Sequence, residues 1–464
     1  MNAPYAIAGL IAELGSVPHL ADADDIRQFA RQYFTADQAL RRRAQEQVAD
    51  LVLRPRNADE LARCVSLAFR YRVPLTLAAG RTAEDGASIP LEGGIQLDMT
   101  GIAGLIGQKP GSVRVLAGTR MAEIDRHLLP AGWELRQYPT LRAQATIGGF
   151  IAGGIGGGVG SCNWGMLPER GNILGLQVMS IEAEPRLLEL RGRDIDLALA
   201  AAGTNGIITE VELPTAPAWE WQEITVGFPG FHAAAEFAVR LGHEDAMPRK
   251  LISLLEWPLP ELMRGFPARI QEGHSAVNCM IAAPFRESFE DLVAECGGLV
   301  VAEAREGDGQ QPLSDFAWGH VLHQVRRNGH NRTGVAAIFG PEDLLGDLLR
   351  VQRRFGTPSP LAAEIVRMDG QVAAIGSPLA PGDDAETAAS LVATLRHDGI
   401  ALREGRLSRQ PFHVRKFGER DRAFKQEMDP QGLLNPGRLS FDMGEATPLR
   451  QRPEGGGWSF RRAT

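Results

Sequence analysis

Lysine is scarce in this chain of 464 residues, because only four of its 49 basic residues are lysines. They are Lys109, Lys250, Lys416 and Lys425. The arginines that make up the rest form no basic stripe, and the formal net charge is −8. A nucleic acid is recognised through clustered positive charge, so no nucleic acid partner is expected. The arginine bias by itself indicates no function.

Cysteine is scarce as well. Cys64, Cys162, Cys279 and Cys296 form neither a Cys-x-x-Cys pair nor a Cys/His pattern with zinc spacing, so no metal site is predicted. No apolar run reaches the length that spans a membrane. The first residues, 1–4, lack the basic region of a secretory signal. We expect a soluble protein of the reducing cytoplasm with no membrane span.

Two common nucleotide-binding motifs are missing. The P-loop ends in Gly-Lys-Ser/Thr, and the chain contains no Gly-Lys pair. The Rossmann fingerprint requires Gly-x-Gly-x-x-Gly. In the three registers that residues 154–163 offer, the third glycine is replaced by Val159, Ser161 or Asn163. Neither type of site is therefore predicted.

Glycine, in contrast, is abundant. The chain has 53 glycines, more than the roughly 7% typical of proteins, and many lie between Gly148 and Gly175. The segment Thr146–Ser161 is TIGGFIAGGIGGGVGS. Glycines let a backbone approach a ligand closely, and successive N–H groups in such a loop form a concave anion site. We expect this segment to bind a diphosphate; the alternative is a flexible loop without a ligand.

The length predicts two or three domains. Residues 1–50 have helical patterns. Asn57 is expected to cap the next helix, with Glu60 at the capping-box position and Cys64 on the apolar face. The pattern changes near residues 214–217, after which strand-like segments alternate with amphipathic helices to about residue 400. This change predicts a second domain.

Five short motifs, in order along the chain, carry a resemblance to a known family. They are Gly80-x-Thr82 with Gly86, Thr146-x-Gly148-Gly149 with Ala152, Gly156-Gly157 with Trp164-Gly165, Gly206-Ile207-Ile208-Thr209, and Asp429-Pro430-x-Gly432-x-x-Asn435-Pro436-Gly437. Their order resembles the FAD domain of the FAD-linked oxidases of the vanillyl-alcohol oxidase type, which include glycolate oxidase and D-lactate dehydrogenase. The resemblance covers residues 45–217 and 410–440.

This resemblance implies an α+β fold, in which a PCMH-type FAD-binding domain of two subdomains is joined to an α+β cap that carries the substrate site. The implied limits are 1–44 for an N-terminal helical segment, 45–217 for the FAD-binding domain, 218–405 for the cap, 406–445 for a return to the FAD domain, and 446–464 for a tail.

The resemblance also implies which residues hold FAD. The first loop (80–86) would wrap the pyrophosphate, and the second loop (146–165) would lie along the pyrophosphate and the isoalloxazine edge. Ile207 and Ile208 would lie near the adenine, and Asn435 would return the chain to the FAD domain. The implied FAD-binding residues are Gly80, Arg81, Thr82, Gly86, Thr146, Gly148, Gly149, Ala152, Gly156, Gly157, Trp164, Gly165, Gly206, Ile207, Ile208 and Asn435.

Covalent members of the family attach FAD through a histidine in the first loop, and residues 78–90 contain none. The resemblance therefore implies noncovalent FAD. Arg81 is one of the residues that stand where the family usually has glycine. Cys162 lies in the second loop, where some relatives carry a cysteine tether, but its register does not match.

In such an enzyme the flavin carries the redox chemistry, and the protein must remove a proton from the substrate hydroxyl. A histidine suits this base, and an arginine suits a substrate carboxylate. The candidates are His413, with Arg415 and Lys416 beside it, and His320 in the cap. For each histidine, a purely structural role is the alternative.

Two functions remain open. The first is an FAD-dependent oxidoreductase that oxidises a CH–OH group of a small hydroxy acid or related alcohol by hydride transfer to flavin N5, with an unknown electron acceptor. The second is an FAD-binding, electron-passing or non-catalytic subunit of a larger complex. His320 and His413 favour the first. The second is favoured because residues 403–406, Arg-Glu-Gly-Arg, stand where the family's 2-hydroxyacid dehydrogenases have Glu-His-Gly. A plain binding module with an empty glycine loop is a third, weaker interpretation.

Overall fold

In the described residues, three large β-sheets, one two-stranded sheet and the helices that cover them form the α+β fold. The computed structural model describes residues 5–31, 38–82, 86–153, 157–308, 311–402 and 418–438. The fold class predicted from the sequence is confirmed.

The first sheet has four strands in the order β1-β2-β4-β3, and β4 runs parallel to both β2 and β3. This region contains α1 (Ile7–Glu13), β1 (His19–Leu20), α2 (Ala23–Arg31), α3 (Gln38–Glu46), β2 (Leu51–Leu53), α4 (Ala58–Tyr71), β3 (Leu75–Ala78) and β4 (Ile95–Asp98). The predicted cap of α4 is confirmed, because Asn57 accepts a hydrogen bond from the backbone N–H of Glu60 (2.9 Å). Cys64 is fully buried in this core, as expected.

The second sheet is antiparallel, in the order β5-β6-β10-β8-β9, and β7 pairs with the far end of β10. Its elements are β5 (Leu105–Lys109), β6 (Ser112–Leu116), α5 (Met121–Leu128), β7 (Trp133–Leu135), α6 (Ile147–Gly153), α7 (Ser161–Trp164), β8 (Gly175–Met179), β9 (Leu187–Leu190) and β10 (Ile207–Pro217). The short helix α6 lies within the glycine-rich segment, so part of that segment is regular structure.

The third sheet, which we call the cap sheet, is antiparallel in the order β14-β11-β13-β12-β17-β18-β16-β20. Its region contains β11 (Trp221–Phe228), α8 (Phe231–His243), β12 (Arg249–Leu255), α9 (Leu259–Leu262), β13 (Ser275–Ala282), α10 (Arg286–Glu295), β14 (Leu299–Arg305), α11 (Gly319–Arg327), β15 (Arg332–Thr333), β16 (Ala337–Phe339), α12 (Leu344–Phe355), β17 (Leu361–Met368), β18 (Gln371–Pro378), β19 (Ala380–Pro381), α13 (Ala385–His397) and β20 (Ala401–Leu402). The strands β15 and β19 form a separate pair.

The two faces of the cap sheet pack against different partners, because successive residues of a strand point to opposite faces. On β12, Ile252 and Leu254 join the core shared with α8, α10 and α12. Leu251, on the other face, joins the core of the second sheet. We call this second face the inner face.

After the cap, α14 (Glu419–Met428) leads the chain back to the first sheet. Leu434 forms a parallel bridge with Leu75 of β3. The second sheet's last strand ends at residue 217 and the cap sheet begins at 221, but the domain limits drawn from the sequence remain a prediction.

Candidate cofactor site

A cavity of about 1020 Å³, counting its open mouth, lies where the chain leaves β3, enters α6 and enters β10. It is lined by Leu77, Ala78, Ala79, Gly80, Arg81, Thr82, Ala87, Ser88, Met99, Ala117, Pro139, Ala145, Thr146, Gly148, Gly149, Phe150, Ala152, Gly153, Ala198, Ala202, Gly203, Asn205, Gly206 and Ile208. Fourteen of these 24 residues are glycine or alanine, so the backbone forms much of the wall.

Among these described lining residues Arg81 is the one charged side chain, and no carboxylate is present to repel an anion. The Arg81 guanidinium turns away to stack on the ring of Phe29 (3.9 Å) and donates to the Phe29 backbone oxygen (3.0 Å). Its backbone has φ +52°, a region that favours glycine. The contacts with α2 thus hold Arg81 in a backbone conformation that favours glycine, and this role of Phe29 was not predicted from the sequence.

The glycines of the two loops fall into two groups. A Cβ on Gly80 would collide with the backbone oxygen of Gln144, and one on Gly148 would lie 2.8 Å from the Cβ of Ala117. These two glycines therefore allow protein segments to meet. A Cβ on Gly149 would meet only Thr146 Oγ1, at 3.0 Å, among the described atoms within 4 Å. Gly149 faces the cavity, where a ligand would come close to the backbone.

The third wall of the cavity is the turn before β10. Gly203 and Gly206 have φ of +67° and +79°, and Ala202 has φ +50°, which is unfavourable for a residue with a Cβ. Asn435 braces this turn, because its side-chain amide donates to the backbone oxygens of Ala202 (2.6 Å) and Ala87 (3.1 Å). The side chain of Asn435 therefore links two walls of the cavity.

Lys425 braces the same wall from outside. Its ammonium donates to the backbone oxygens of Thr204 (2.8 Å) and Leu434 (3.0 Å) and pairs with Asp429 (2.6 Å). Burial lowers the pKa of Lys425, and Asp429 opposes that shift. Asp429 also accepts from the backbone N–H groups of Leu433 and Leu434. One of the four lysines thus fixes the C-terminal segment to the cavity wall, a role that the sequence did not indicate.

The cavity brings together many of the predicted cofactor residues. Those that line it are Gly80, Arg81, Thr82, Thr146, Gly148, Gly149, Ala152, Gly206 and Ile208. Those outside its lining are Gly86, Gly157, Trp164, Gly165, Ile207 and Asn435, and Gly156 lies outside the described residues. Ile207 alternates with Ile208 along β10 and packs into the core of the first sheet.

The later half of the second loop turns to the cap. A Cβ on Gly157 would collide with the ring of Trp318. Gly160 donates its N–H to the backbone oxygen of Lys250 (2.6 Å), and the Cys162 thiol lies 3.6 Å from the oxygen of Arg249. Cys162 is buried in the cap core, and burial raises the pKa of its thiol to about 12.

Two residues of the segment that follows β7 contact Trp164 and Gly165. The Arg136 guanidinium lies 4.5 Å from the centroid of the Trp164 ring, and the Gln137 amide donates to the oxygen of Gly165. Their observed contacts therefore fix the course of the second loop.

Of the four catalytic candidates, only His320 lies within the described residues. His413, Arg415 and Lys416 lie outside the described residues. His320 is buried in α11, stacked on His323 with the ring centroids 5.3 Å apart. It lies two residues after Trp318, whose ring contacts the second loop, but it does not line the cavity.

Within the described ranges, no helix is long and apolar enough to cross a bilayer. The same residues contain no cluster of three His, Cys, Asp or Glu side chains suited to a metal ion.

Comparison with known proteins matches residues 49–184 to a family described as an FAD binding domain. Glycolate oxidase subunit GlcD of Escherichia coli is 25% identical over 175 residues, which are 36% of this chain and 34% of that protein. D-lactate dehydrogenase of Archaeoglobus fulgidus is 23% identical over 205 residues, 42% of this chain and 45% of that protein. The chain thus matches less than half the length of these curated relatives.

A solved structure of alkyldihydroxyacetonephosphate synthase superposes with a TM-score of 0.71 at 17% identity, over 95% of this chain and 87% of that chain. At this identity the likeness shows the fold, and it extends through the cap.

Proposed function

We propose that this protein, which carries an FAD-binding domain of the PCMH-type FAD-linked oxidases, is an FAD-dependent oxidoreductase. Its proposed substrate is a CH–OH group of a small hydroxy acid or related alcohol. The main support for the proposal is the cavity. Its walls are largely glycine and alanine backbone, and its described lining residues include no carboxylate.

The lining residues fit FAD. The backbone of Gly80, Arg81 and Thr82 would hold the pyrophosphate from one side, and the start of α6, with Gly149, from the other. Backbone N–H groups bind a diphosphate without a matching cation. Bound FAD supplies the two-electron acceptor of the reaction.

The substrate is proposed to lie between the second loop and the cap. The contact of Gly157 with the cap residue Trp318 supports this location. There the protein must orient the substrate and hold the hydroxyl proton at a histidine nitrogen. His413 remains the first candidate for this base and His320 the second, and Arg415 or Lys416 would neutralise a substrate carboxylate.

The test is anaerobic mixing of the FAD-loaded protein with a panel of 2-hydroxy acids and alcohols. Loss of the oxidised flavin absorbance with at least one compound is the expected result. If no compound of either class reduces a fully loaded protein, the proposal is wrong.

An electron-passing role within a complex is the second candidate. It is favoured by the name of one relative, a glycolate oxidase subunit. In that case the flavin would be reduced only by a partner subunit and not by any small donor alone. Flavin reduction by a small donor in the isolated chain would exclude this role.

A further inference from the structure

A row of four polar side chains crosses the inner face of the cap sheet. The strand register pairs Thr225 with Asn278, Asn278 with Ser253, and Ser253 with Glu364. Four neighbouring strands thus each place one polar residue at the same level of the cap sheet. All four are buried, with exposed fractions of 4% or less. We call these four residues the polar row.

On β12 and β13, apolar residues lie on both sides of the polar row. On one side, Leu251 and Met280 belong to the core of the second sheet. On the other, Leu255 and Ala276 pack against α9 and α11. Polar groups buried in such surroundings cost free energy unless they form hydrogen bonds. The row therefore requires a reason for its presence.

The hydrogen bonds within the row leave two atoms unused. Thr225 donates to Asn278 Oδ1 (3.0 Å), and Ser253 donates to Glu364 Oε1 (2.7 Å). Among the described residues, Asn278 Nδ2 and Glu364 Oε2 are buried without a partner. The first atom is a donor and the second an acceptor, so both can bind the same type of ligand group. Burial raises the pKa of Glu364 to about 7.

Trp318 connects the polar row to the second loop. Its backbone N–H donates to Glu364 Oε1 (2.6 Å), and its ring contacts Gly157. Its φ of +54° is strained for a tryptophan, and its indole Nε1 is buried without a partner in the described part of the chain. Strained residues concentrate at binding sites, and an unpaired buried group in a native structure calls for an explanation. Here both occur where the cap meets the proposed flavin site.

We infer that the polar row, together with the indole N–H of Trp318, binds hydroxyl groups of an uncharged polyhydroxy substrate. Because a hydroxyl both donates and accepts, one hydroxyl can accept from Asn278 Nδ2 and another can donate to Glu364 Oε2. None of these five side chains is a cation, and an ionised Glu364 repels a carboxylate. The inference rests on the proposed function and narrows its substrate class to alditol-like compounds.

Two substitutions test the row. Asn278→Leu keeps the branched shape of the side chain and removes both the free donor and the oxygen that accepts from Thr225. Glu364→Gln keeps the oxygen that accepts from Trp318 and Ser253 and replaces the free oxygen with an amide. The matched control is Glu256→Gln, because burial also raises the pKa of Glu256 to about 7 but both of its oxygens accept hydrogen bonds, from Gln352 and Leu361.

The first measurement is anaerobic flavin reduction by xylitol, sorbitol, glycolate and D-lactate. We expect the alditols to reduce the flavin. The half-saturating alditol concentration should rise about 10- to 100-fold in Asn278→Leu, and by a smaller factor in Glu364→Gln, whose amide can still donate to a hydroxyl. Glu256→Gln should match the wild type.

The second measurement is thermal unfolding with and without xylitol. Alditols stabilise all proteins by exclusion from their surface, so the relevant quantity is the difference between the variant and the wild type at one xylitol concentration. We expect Asn278→Leu to gain less from xylitol than the wild type, because the free amide donor that would bind a hydroxyl is removed.

The outcomes separate the inference from the proposed function. Reduction by 2-hydroxy acids alone, or alditol reduction with the same half-saturation in Asn278→Leu as in the wild type, overturns the inference and leaves the oxidoreductase intact. A row-dependent gain from xylitol without any flavin reduction supports the inference and contradicts the oxidoreductase. Equal xylitol gains in the wild type and both variants contradict the inference.

Discussion

The cofactor cavity and the polar row are built in opposite ways. The cavity is walled largely by backbone, and its described lining includes one charged side chain, which points away from it. The polar row consists of side chains from four strands and leaves some of their atoms unused. A cofactor that is always the same can be held by backbone alone, whereas a substrate site must differ between relatives and therefore depends on side chains. This contrast predicts that substitutions at the two places affect different properties.

The largest effect is expected from a side chain that acts on the substrate. His413→Asn should lower the rate of flavin reduction by about 10²–10⁴-fold, as for the loss of a general base, while FAD stays bound. Stopped-flow reduction and the flavin content of the purified variant measure the two properties separately. A variant that reduces its flavin at the normal rate would transfer the role to His320.

The second largest effect is expected at Lys425, which fixes the C-terminal segment to the cavity wall. Lys425→Met leaves Asp429 without its buried partner, which should destabilise the protein by about 3–5 kcal/mol and weaken FAD binding. Lys109→Met, at an exposed lysine, is the control. Chemical unfolding and FAD titration measure both effects. If Lys425→Met behaves like Lys109→Met, the brace has no role.

Substitutions at two neighbouring glycines should separate effects on FAD binding from effects on folding. Gly149→Val places its side chain toward the cavity, so FAD affinity should fall about 10- to 100-fold with little change in the unfolding of the apoprotein. Gly148→Ala crowds Ala117 instead and should cost about 1–3 kcal/mol of stability. The same pattern in both variants would mean that Gly149 does not face the ligand.

A smaller effect should distinguish Glu364 by its pH dependence. Its folded pKa is about 7 against an ordinary value of 4.5, so folding favours the protonated form. That stabilisation is complete below pH 4.5 and is lost as the pH rises through 7. Unfolding of the wild type and Glu364→Gln across this range should show the variant gaining relative stability as the pH rises. Parallel curves would show that Glu364 does not titrate there.

The smallest effect is expected at Cys162, since its thiol is buried in the cap core. Acid precipitation should release all FAD into the supernatant from both the wild type and Cys162→Ser. Yellow colour that stays in the wild-type pellet and disappears in Cys162→Ser would establish a thioether link.

Much of the cofactor site could be predicted because its signals are local. The spacing of Gly148 and Gly149 after Thr146 indicated a phosphate loop, and the order of five motifs indicated an FAD-binding domain, which the match over residues 49–184 confirms. The α+β fold followed from the same resemblance and is confirmed by the solved structure of similar fold. The individual binding residues remain a prediction.

The polar row and the braces could not be predicted, because their partners are far apart in sequence. Only the strand register brings Thr225 to Asn278 and Ser253 to Glu364. An isolated asparagine or glutamate in a strand carries no such information. The role of Lys425 likewise depends on where α14 docks, which no local pattern specifies.

The bond from Asn435 to the cavity wall has a consequence for synthesis of the protein. Asn435 meets Ala87 and Ala202, which precede it by 348 and 233 residues. At translation rates of roughly 5–20 residues per second, on the order of 10–50 s pass between the synthesis of Ala202 and that of Asn435. We therefore expect FAD to bind only after the segment that contains Asn435 has been translated. Ribosome-bound chains stalled before that segment should be colourless.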